Sequence, residues 1–92
     1  MTYITVVDDS PAGTVENLEK LMTDILPEPD GLAARYAGMV DGKLCIVAIW
    51  DSPEHARTFM TQRLGPGLAQ LLGAPPAPVR SVGIEVEHSY VR

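Results

Sequence analysis

The chain has 92 residues, 46% of them apolar, with 12 acidic against 7 basic residues and a formal net charge of −5. These values fit one small domain spanning residues 1–92, exclude a disordered chain, and argue against a nucleic-acid partner because no cluster of Lys or Arg occurs. No apolar run approaches the roughly 20 residues that a membrane-spanning helix needs. The single cysteine, Cys45, has no partner for an internal disulfide, which predicts a reducing, cytoplasmic location.

The first third of the chain is predicted to be a strand followed by a helix. Residues 2–7, TYITVV, are β-branched and aromatic, which is typical of a strand. Apolar residues then recur at steps of three and four over residues 15–25, which indicates an amphipathic helix capped by Thr14 or Gly13. The two prolines of the segment LPEPDG end this helix.

A β-hairpin is predicted at the centre of the chain. The apolar runs 32–40 and 43–51 flank the dipeptide Asp41-Gly42. Asp-Gly favours the type I′ turn, in which both central residues have positive φ. The two runs should therefore pair as adjacent antiparallel strands.

A second helix and a last strand complete the pattern. Ser52 and Pro53 are typical of an N-cap and a first helical position. The apolar stripe that follows should be interrupted at Gly65-Pro66-Gly67, with another turn or two of helix beyond. Residues 79–90 alternate apolar and polar side chains, which predicts a final strand with one wet face.

The element order β-α-β-β-α-β predicts an α+β, ferredoxin-like fold with a four-stranded antiparallel sheet. Both helices would cover one face of this sheet. The other face would be too apolar to stay in water, so we expect two chains to pair across a twofold axis into an α+β barrel that encloses a cavity.

This pattern and several segments carry a resemblance to a known family. The segments are GLAARYAG, DGKLCIVAIWDSPEHARTFMTQRLGPGLAQL and the tail VEHSYVR. They resemble the dimeric α+β-barrel superfamily, in particular small proteins similar to antibiotic-biosynthesis monooxygenases. Members include cofactor-independent oxygenases of phenolic polyketides, haem-degrading enzymes, cyclases or isomerases, and proteins without known activity. Haem-degrading members need an axial His and an Asn, and because Asn17 lies on the first helix we predict no cofactor.

The resemblance implies a cavity around Trp50, the only tryptophan. Alternation places Leu44, Ile46, Ala48 and Trp50 on one face of their strand and Cys45, Val47 and Ile49 on the other. The family's Trp position assigns the first set to the barrel cavity and the second to the helices. The two-residue turn pairs Ala37 with Ile46, Arg35 with Ala48 and Ala33 with Trp50. Arg35 should therefore share the cavity. The predicted surrounding residues are Ala33, Ala37, Met39, Ile46 and Ala48.

Other candidate side chains are the two histidines, for proton transfer, and Tyr90, for contact with the substrate. His88 should lie on the last strand, on the same face as Tyr90, where it could move a proton or simply sit at an interface. His55, in the first turn of the second helix, is a second candidate for the same role or a solvated residue. Tyr36 and Cys45 should pack under the helices. The two histidines lie on separate elements without a third ligand, so no metal site is predicted.

Two classes of function follow. The first is a small cofactor-independent, monooxygenase-like enzyme acting on an aromatic or polyketide-type molecule, in which Arg35 holds the anion, Trp50 stacks on the ring and His88 or His55 moves the proton. A cyclase or isomerase would use the same groups. The second is a non-catalytic binding or structural homodimer whose cavity its own side chains fill.

Overall fold

The structure, a computed structural model, describes residues 2–26, 28–76 and 78–92. Four strands form one antiparallel sheet in the order β2-β3-β1-β4. The predicted α+β, ferredoxin-like plan is confirmed. The elements in chain order are β1 (Tyr3–Val7), α1 (Val15–Lys20), β2 (Leu32–Val40), β3 (Lys43–Trp50), α2 (Pro53–Thr58), α3 (Leu64–Leu72) and β4 (Ser81–Glu85). A π-helical turn, Leu21–Ile25, continues α1, and a second, Phe59–Arg63, joins α2 to α3.

The central hairpin forms as its turn dipeptide predicts. Asp41 and Gly42 both have positive φ, at 51° and 78°. The pairs Arg35–Ala48 and Ala37–Ile46 occur in the expected register. The predicted pair of Ala33 with Trp50 is wrong, because an irregularity between Leu32 and Ala34 makes Leu32 the partner of Trp50. A bulge of this kind adds one unpaired residue to one strand, and Ala33 is left exposed.

Both helical segments begin at the predicted caps. The Thr14 side chain accepts a hydrogen bond from the backbone N–H of Asn17, and the Ser52 side chain accepts one from that of His55. The predicted break at Gly65-Pro66-Gly67 is wrong, because α3 runs through all three residues. Pro66 occupies the first turn of α3, where backbone N–H groups lack partners within the helix, so its missing N–H does no harm.

One face of the sheet packs against the helices and forms the core. Leu44, Ala48 and Trp50 on β3, with Thr5 and Val7 on β1, are all buried. The assignment of the Trp50 face to a cavity outside the helices is therefore wrong. Both faces of β3 are apolar, so alternation alone does not decide which face the helices cover. The covered face encloses the largest side chain of the chain.

The other face of the sheet is apolar and uncovered, and we call it the open face. Contrary to prediction, Tyr36 is 64% exposed here, and Cys45 is half-buried instead of packed under a helix. The Cys45 thiol lies 3.8 Å from Asp8 Oδ1. By register the open face consists of Ile4, Val6, Ala34, Tyr36, Val40, Cys45, Val47, Ile49, Val82 and Ile84.

The last strand is shorter than predicted. β4 covers Ser81–Glu85 only, and its five residues are all exposed, so the prediction of a single wet face is wrong as well. The backbone N–H of Val86 still bonds to Thr2 O, after which the chain leaves the sheet. Gly83 gives space to the Tyr3 ring, which lies across β4 where a side chain would be. Among the described residues no helix has the length and apolar character to cross a membrane.

Candidate functional site

A small cavity lies between the covered face of the sheet and the helices. Its volume is about 40 Å³, enough for two to four water molecules at roughly 10–15 Å³ each. Apolar side chains make most of the wall. The lining residues are Thr5, Val7, Ser10, Leu18, Leu21, Met22, Pro29, Leu32, Arg35, Ile46, Ala48, Trp50, Phe59, Met60, Leu64, Leu68 and Val79.

Trp50 forms the aromatic part of this wall. It ends β3 directly before the Ser52 cap, so the strand end and the helix start fix its backbone. The indole Nε1–H donates to Thr5 Oγ1 at 3.0 Å, and the ring packs against Phe59 with centroids 5.6 Å apart and planes tilted by 41°. Because the only polar group of the indole is already bonded, Trp50 offers a bound molecule an apolar ring surface.

Arg35 is the only charged side chain among the described lining residues. It is half-buried on β2 beside Ala48 and makes no side-chain hydrogen bond or ion pair with the described residues. No buried side-chain nitrogen or oxygen in that part of the chain lacks a partner, so the Arg35 guanidinium must reach solvent. An accessible guanidinium beside an apolar cavity is suited to bind a carboxylate, enolate or phenolate.

The two π-helical turns both border the cavity. The first contributes Leu21 and Met22, and the second contributes Phe59 and Met60. Single π-helical turns within α-helices occur frequently at functional sites, and methionine side chains adapt easily to a new neighbour. The helical wall is therefore the part of the cavity best suited to adjust to a ligand.

His55 lies outside the cavity, in a separate surface cleft of about 300 Å³. The cleft is lined by Pro29, Asp30, Glu54, His55, Thr58, Phe59 and Arg63. His55 Nδ1 lies 2.7 Å from Ser52 Oγ, and its ring packs against the backbone of Gly31, where a Cβ would collide with it. These two contacts hold the imidazole ring in the cleft.

Glu54 adds a carboxylate to the same cleft. Its own backbone N–H, followed by the Ser52 hydroxyl, holds the pKa of Glu54 below its usual value. Burial opposes this shift, and the weaker charge effects of Arg57 and His55 add to it. The cleft thus carries an ionised acid at neutral pH beside His55 and Arg63.

The structure brings together only some of the predicted site residues. Arg35, Trp50, Ile46 and Ala48 line one cavity, whereas Ala33, Ala37 and Met39 do not. Ala37 and Met39 border a shallow groove over the hairpin instead. His88 and Tyr90 are exposed in the segment after β4 and line neither the cavity nor the His55 cleft. The described part of the chain contains no group of three or more His, Cys, Asp or Glu side chains that could hold a metal ion.

Sequence reasoning missed Thr5 and Phe59 as parts of the site. Thr5 lies 45 positions from the indole that it binds, so no local pattern connects them. Phe59 belongs to the apolar stripe of the second helix, and apolar periodicity does not distinguish it from the other members. Phe59 is the sole Phe and lies in the helix that directly follows the Trp50 strand, and this placement could have indicated a contact between the two rings.

Comparison with known proteins establishes the fold. No family profile matches the chain, and no curated protein is similar in sequence. A solved structure described as a "putative Antibiotic biosynthesis monooxygenase" from Chloroflexus aurantiacus J-10-fl is similar with a TM-score of 0.59 at 13% identity, covering 99% of this chain and 98% of that one. A protein of unknown function from Nitrosomonas europaea is similar with a TM-score of 0.58 at 11% identity, covering 99% and 92%. The chain therefore has the ferredoxin-like fold of antibiotic-biosynthesis-monooxygenase-like proteins, as its sequence predicts.

Proposed function

We propose that this protein binds a small aromatic or polyketide-type anion and acts as a cofactor-independent, monooxygenase-like enzyme. The observation that carries this proposal is the half-buried, unpaired Arg35 beside a cavity that is otherwise apolar and contains Trp50. The description of the Chloroflexus protein, which shares the fold, supports the same class of reaction.

The cavity must enlarge when such a ligand binds. A cavity of roughly 150 Å³ holds a benzene ring, whereas this one measures about 40 Å³. Met22 and Met60 are half-buried side chains that can change rotamer, and each belongs to a π-helical turn. We therefore expect binding by adjustment of the helical wall against a fixed sheet.

Arg35 would drive the chemistry through charge. A guanidinium beside an enol or phenol favours its ionised form, since opposite charges at short range stabilise one another. The resulting electron-rich carbon attacks O₂ to form a C–O bond, and loss of water from the hydroperoxide leaves a carbonyl on the ring. One CH₂ group and one O₂ are consumed, and one C=O group and one H₂O are formed. Both substrate protons leave in that water, with solvent as the carrier.

A second candidate is a binding protein without catalysis. Among the described lining residues only Arg35 has a titratable side chain, so no general base faces the cavity. Binding an anion needs Arg35 alone, whereas ring closure or isomerisation in a cyclase or isomerase needs a positioned proton acceptor. This lack of a base within the described cavity favours binding over cyclisation.

Oxygen uptake with anthrone as substrate tests the proposal. The chelator-treated protein should consume oxygen above background, and Arg35→Ala should lower the rate by about 10²-fold, the usual effect of removing one charge-stabilising donor. Arg92→Ala, which removes an exposed arginine after β4, is the matched control and should leave the rate unchanged.

The outcomes separate the candidates. Binding of anthrone, seen as a change in Trp50 fluorescence, without oxygen uptake would favour the binding protein. Neither binding nor uptake, or equal uptake by the Arg35→Ala variant, would contradict the proposal.

We also propose a homodimer that pairs through the open face. Tyr36, Val40, Val82 and Ile84 on this face are each exposed by 45% or more in the single chain. A contiguous apolar patch of this kind is typical of a protein interface. Two sheets packed face to face would bury it and leave the helix-covered cavity of each chain intact.

We place the protein in the cytoplasm. Cys45 is the only cysteine and carries no disulfide. A free, half-buried thiol fits a reducing compartment, where it stays unoxidised.

A further inference from the structure

The cavity and the His55 cleft share a wall. Phe59 and Pro29 line both spaces, and among the described residues they are the only ones that do. The cavity of about 40 Å³ is too small for a ring, whereas the cleft of about 300 Å³ is large enough but open to solvent. One aromatic side chain and one proline thus separate the cavity from the cleft. The two spaces joined would hold a molecule of two or three rings.

Phe59 is the movable part of that wall. Its ring is 7% exposed and packs against Trp50 on the cavity side. It is the first residue of the π-helical turn Phe59–Arg63, whereas Pro29 lies in the loop before β2 with its ring fixed to the backbone. A phenylalanine side chain changes position by rotation about two bonds, which a proline cannot do.

We propose that the Phe59 ring is a gate between the cavity and the cleft, and that the open form is a single elongated binding site. A ligand ring would take the place of Phe59 against Trp50, so the aromatic contact that opening breaks is formed again with the ligand. The far end of the ligand would stay in the cleft beside His55 and Arg63.

This arrangement defines the ligand class more closely. The cavity end offers Arg35 and the cleft end offers Arg63, which like Arg35 forms no ion pair or side-chain hydrogen bond with described residues. We therefore expect a planar molecule of two or three fused rings with an ionisable hydroxyl at one end and a second acidic or polar group at the other. This ligand class rests on the function proposed above, whereas the gate itself does not.

Quenching of Trp50 fluorescence by acrylamide tests the gate without any ligand. Trp50 is the only tryptophan and is 2% exposed behind Phe59. Phe59→Ala should raise the quenching rate constant by about tenfold because it removes the barrier between cleft and indole, and Phe59→Leu, which is less disruptive to folding, should raise it to an intermediate value.

The matched control is Leu44→Ala. Leu44 is fully buried on the same strand as Trp50 but lines neither space, so its truncation loosens the core without opening the gate. Equal quenching of the Leu44→Ala and Phe59→Leu variants would show general loosening and overturn the gate.

Two naphthol probes test the ligand class. The affinity of 6-hydroxy-2-naphthoic acid should fall about tenfold in Arg63→Ala, the loss expected for one charge-assisted contact, while that of 2-naphthol should not change. Arg92→Ala should bind both as the wild type does. Equal loss for both probes, or for neither, would overturn the two-ended site.

The two proposals can fail separately. Increased acrylamide quenching in the Phe59 variants with no binding of any aromatic probe would leave the gate and overturn the proposed function. Anthrone-dependent oxygen uptake with Phe59→Ala and Phe59→Leu quenched like the wild type would leave the function and overturn the gate.

Discussion

The two faces of the sheet are built from the same kinds of residue, but the helices bury one face and leave the other exposed. On β3, Trp50 is 2% exposed under the helices, while Tyr36, on the other face of neighbouring β2, is 64% exposed. Both faces are rich in aliphatic side chains, but the covered face also buries a polar group against a partner inside the chain, the Thr5 hydroxyl that accepts from the indole. The covered face thus lines the proposed site within one chain, and the open face is the surface through which we propose that two chains pair.

Truncation of Trp50, on the covered face, should cause the largest loss of folding stability. Trp50→Ala should lower the free energy of unfolding by about 3–5 kcal/mol, the loss typical of removing a large aromatic side chain from a core. Urea denaturation followed by circular dichroism measures it. Because the indole is enclosed within one chain, the loss should be the same at every protein concentration.

A Trp50→Phe variant separates packing from hydrogen bonding. It keeps an aromatic ring against Phe59 but gives Thr5 Oγ1 no donor. The decrease in the free energy of unfolding should be smaller for Trp50→Phe than for Trp50→Ala. A loss from Trp50→Ala that grew with protein concentration would instead place this residue at an interface.

Introduction of a charge on the open face should act through association. Tyr36→Glu would bury a carboxylate in the proposed dimer, where an unpaired charge is strongly unfavourable. We expect the dissociation constant to rise by about 100-fold, equivalent to about 2.7 kcal/mol. Sedimentation equilibrium measures the constant, and the isolated chain should keep its circular dichroism spectrum.

The matched control for that charge is Glu85→Gln, a change at an exposed position on the covered side of β4. It should leave the dissociation constant unchanged. A wild-type chain that stays monomeric at high concentration, or a Tyr36→Glu dimer as tight as the wild type, would contradict the pairing of open faces.

Local signals predicted the elements of this fold well. Interactions within four positions form the Asp41-Gly42 turn and the caps at Thr14 and Ser52. Such local interactions can be predicted directly from the sequence. The bulge near Ala33 could not be predicted in this way. It lies where the start of β2 meets the loop after β3, and there Gly31 O accepts a hydrogen bond from the Asp51 N–H, 20 positions away.

The site was only partly predictable for a related reason. The pairing of Arg35 with Ala48 follows from turn length and brought the guanidinium to the Trp50 face correctly. Which face the helices cover depends on how each crossover passes over the sheet. Alternation along β3 does not predict this, because both faces of β3 are apolar. Contacts such as Thr5 with Trp50 and Phe59 with Trp50 follow from that choice, so they appear only in three dimensions.

Alanine substitutions at two glycines should give the smallest changes in the free energy of unfolding. One glycine lies in the helical layer over the covered face, and the other lies on the open face. A Cβ on Gly67 in α3 would lie 2.8 Å from Leu26 Cδ1 and Cγ, whereas a Cβ on Gly38, on the open face of β2, would meet nothing within 4 Å. Gly67→Ala gains about 1 kcal/mol of helix propensity, but the whole buried Leu26 side chain must shift, and overpacking costs typically about 1–3 kcal/mol. Gly67→Ala should therefore be destabilising on balance.

Gly38→Ala should stabilise the chain by about 0.5–1 kcal/mol, since glycine within a strand is less favourable than alanine. Neither glycine has positive φ, so backbone strain does not enter the comparison. Urea denaturation at a concentration below the dissociation constant of the proposed dimer measures both variants in the isolated chain. Stabilisation by Gly67→Ala would mean that α3 packs more loosely on Leu26 than the structure shows. Destabilisation by Gly38→Ala only above that concentration would mean that the partner sheet approaches the β2 backbone closely, which would locate the dimer contact at this edge of the open face.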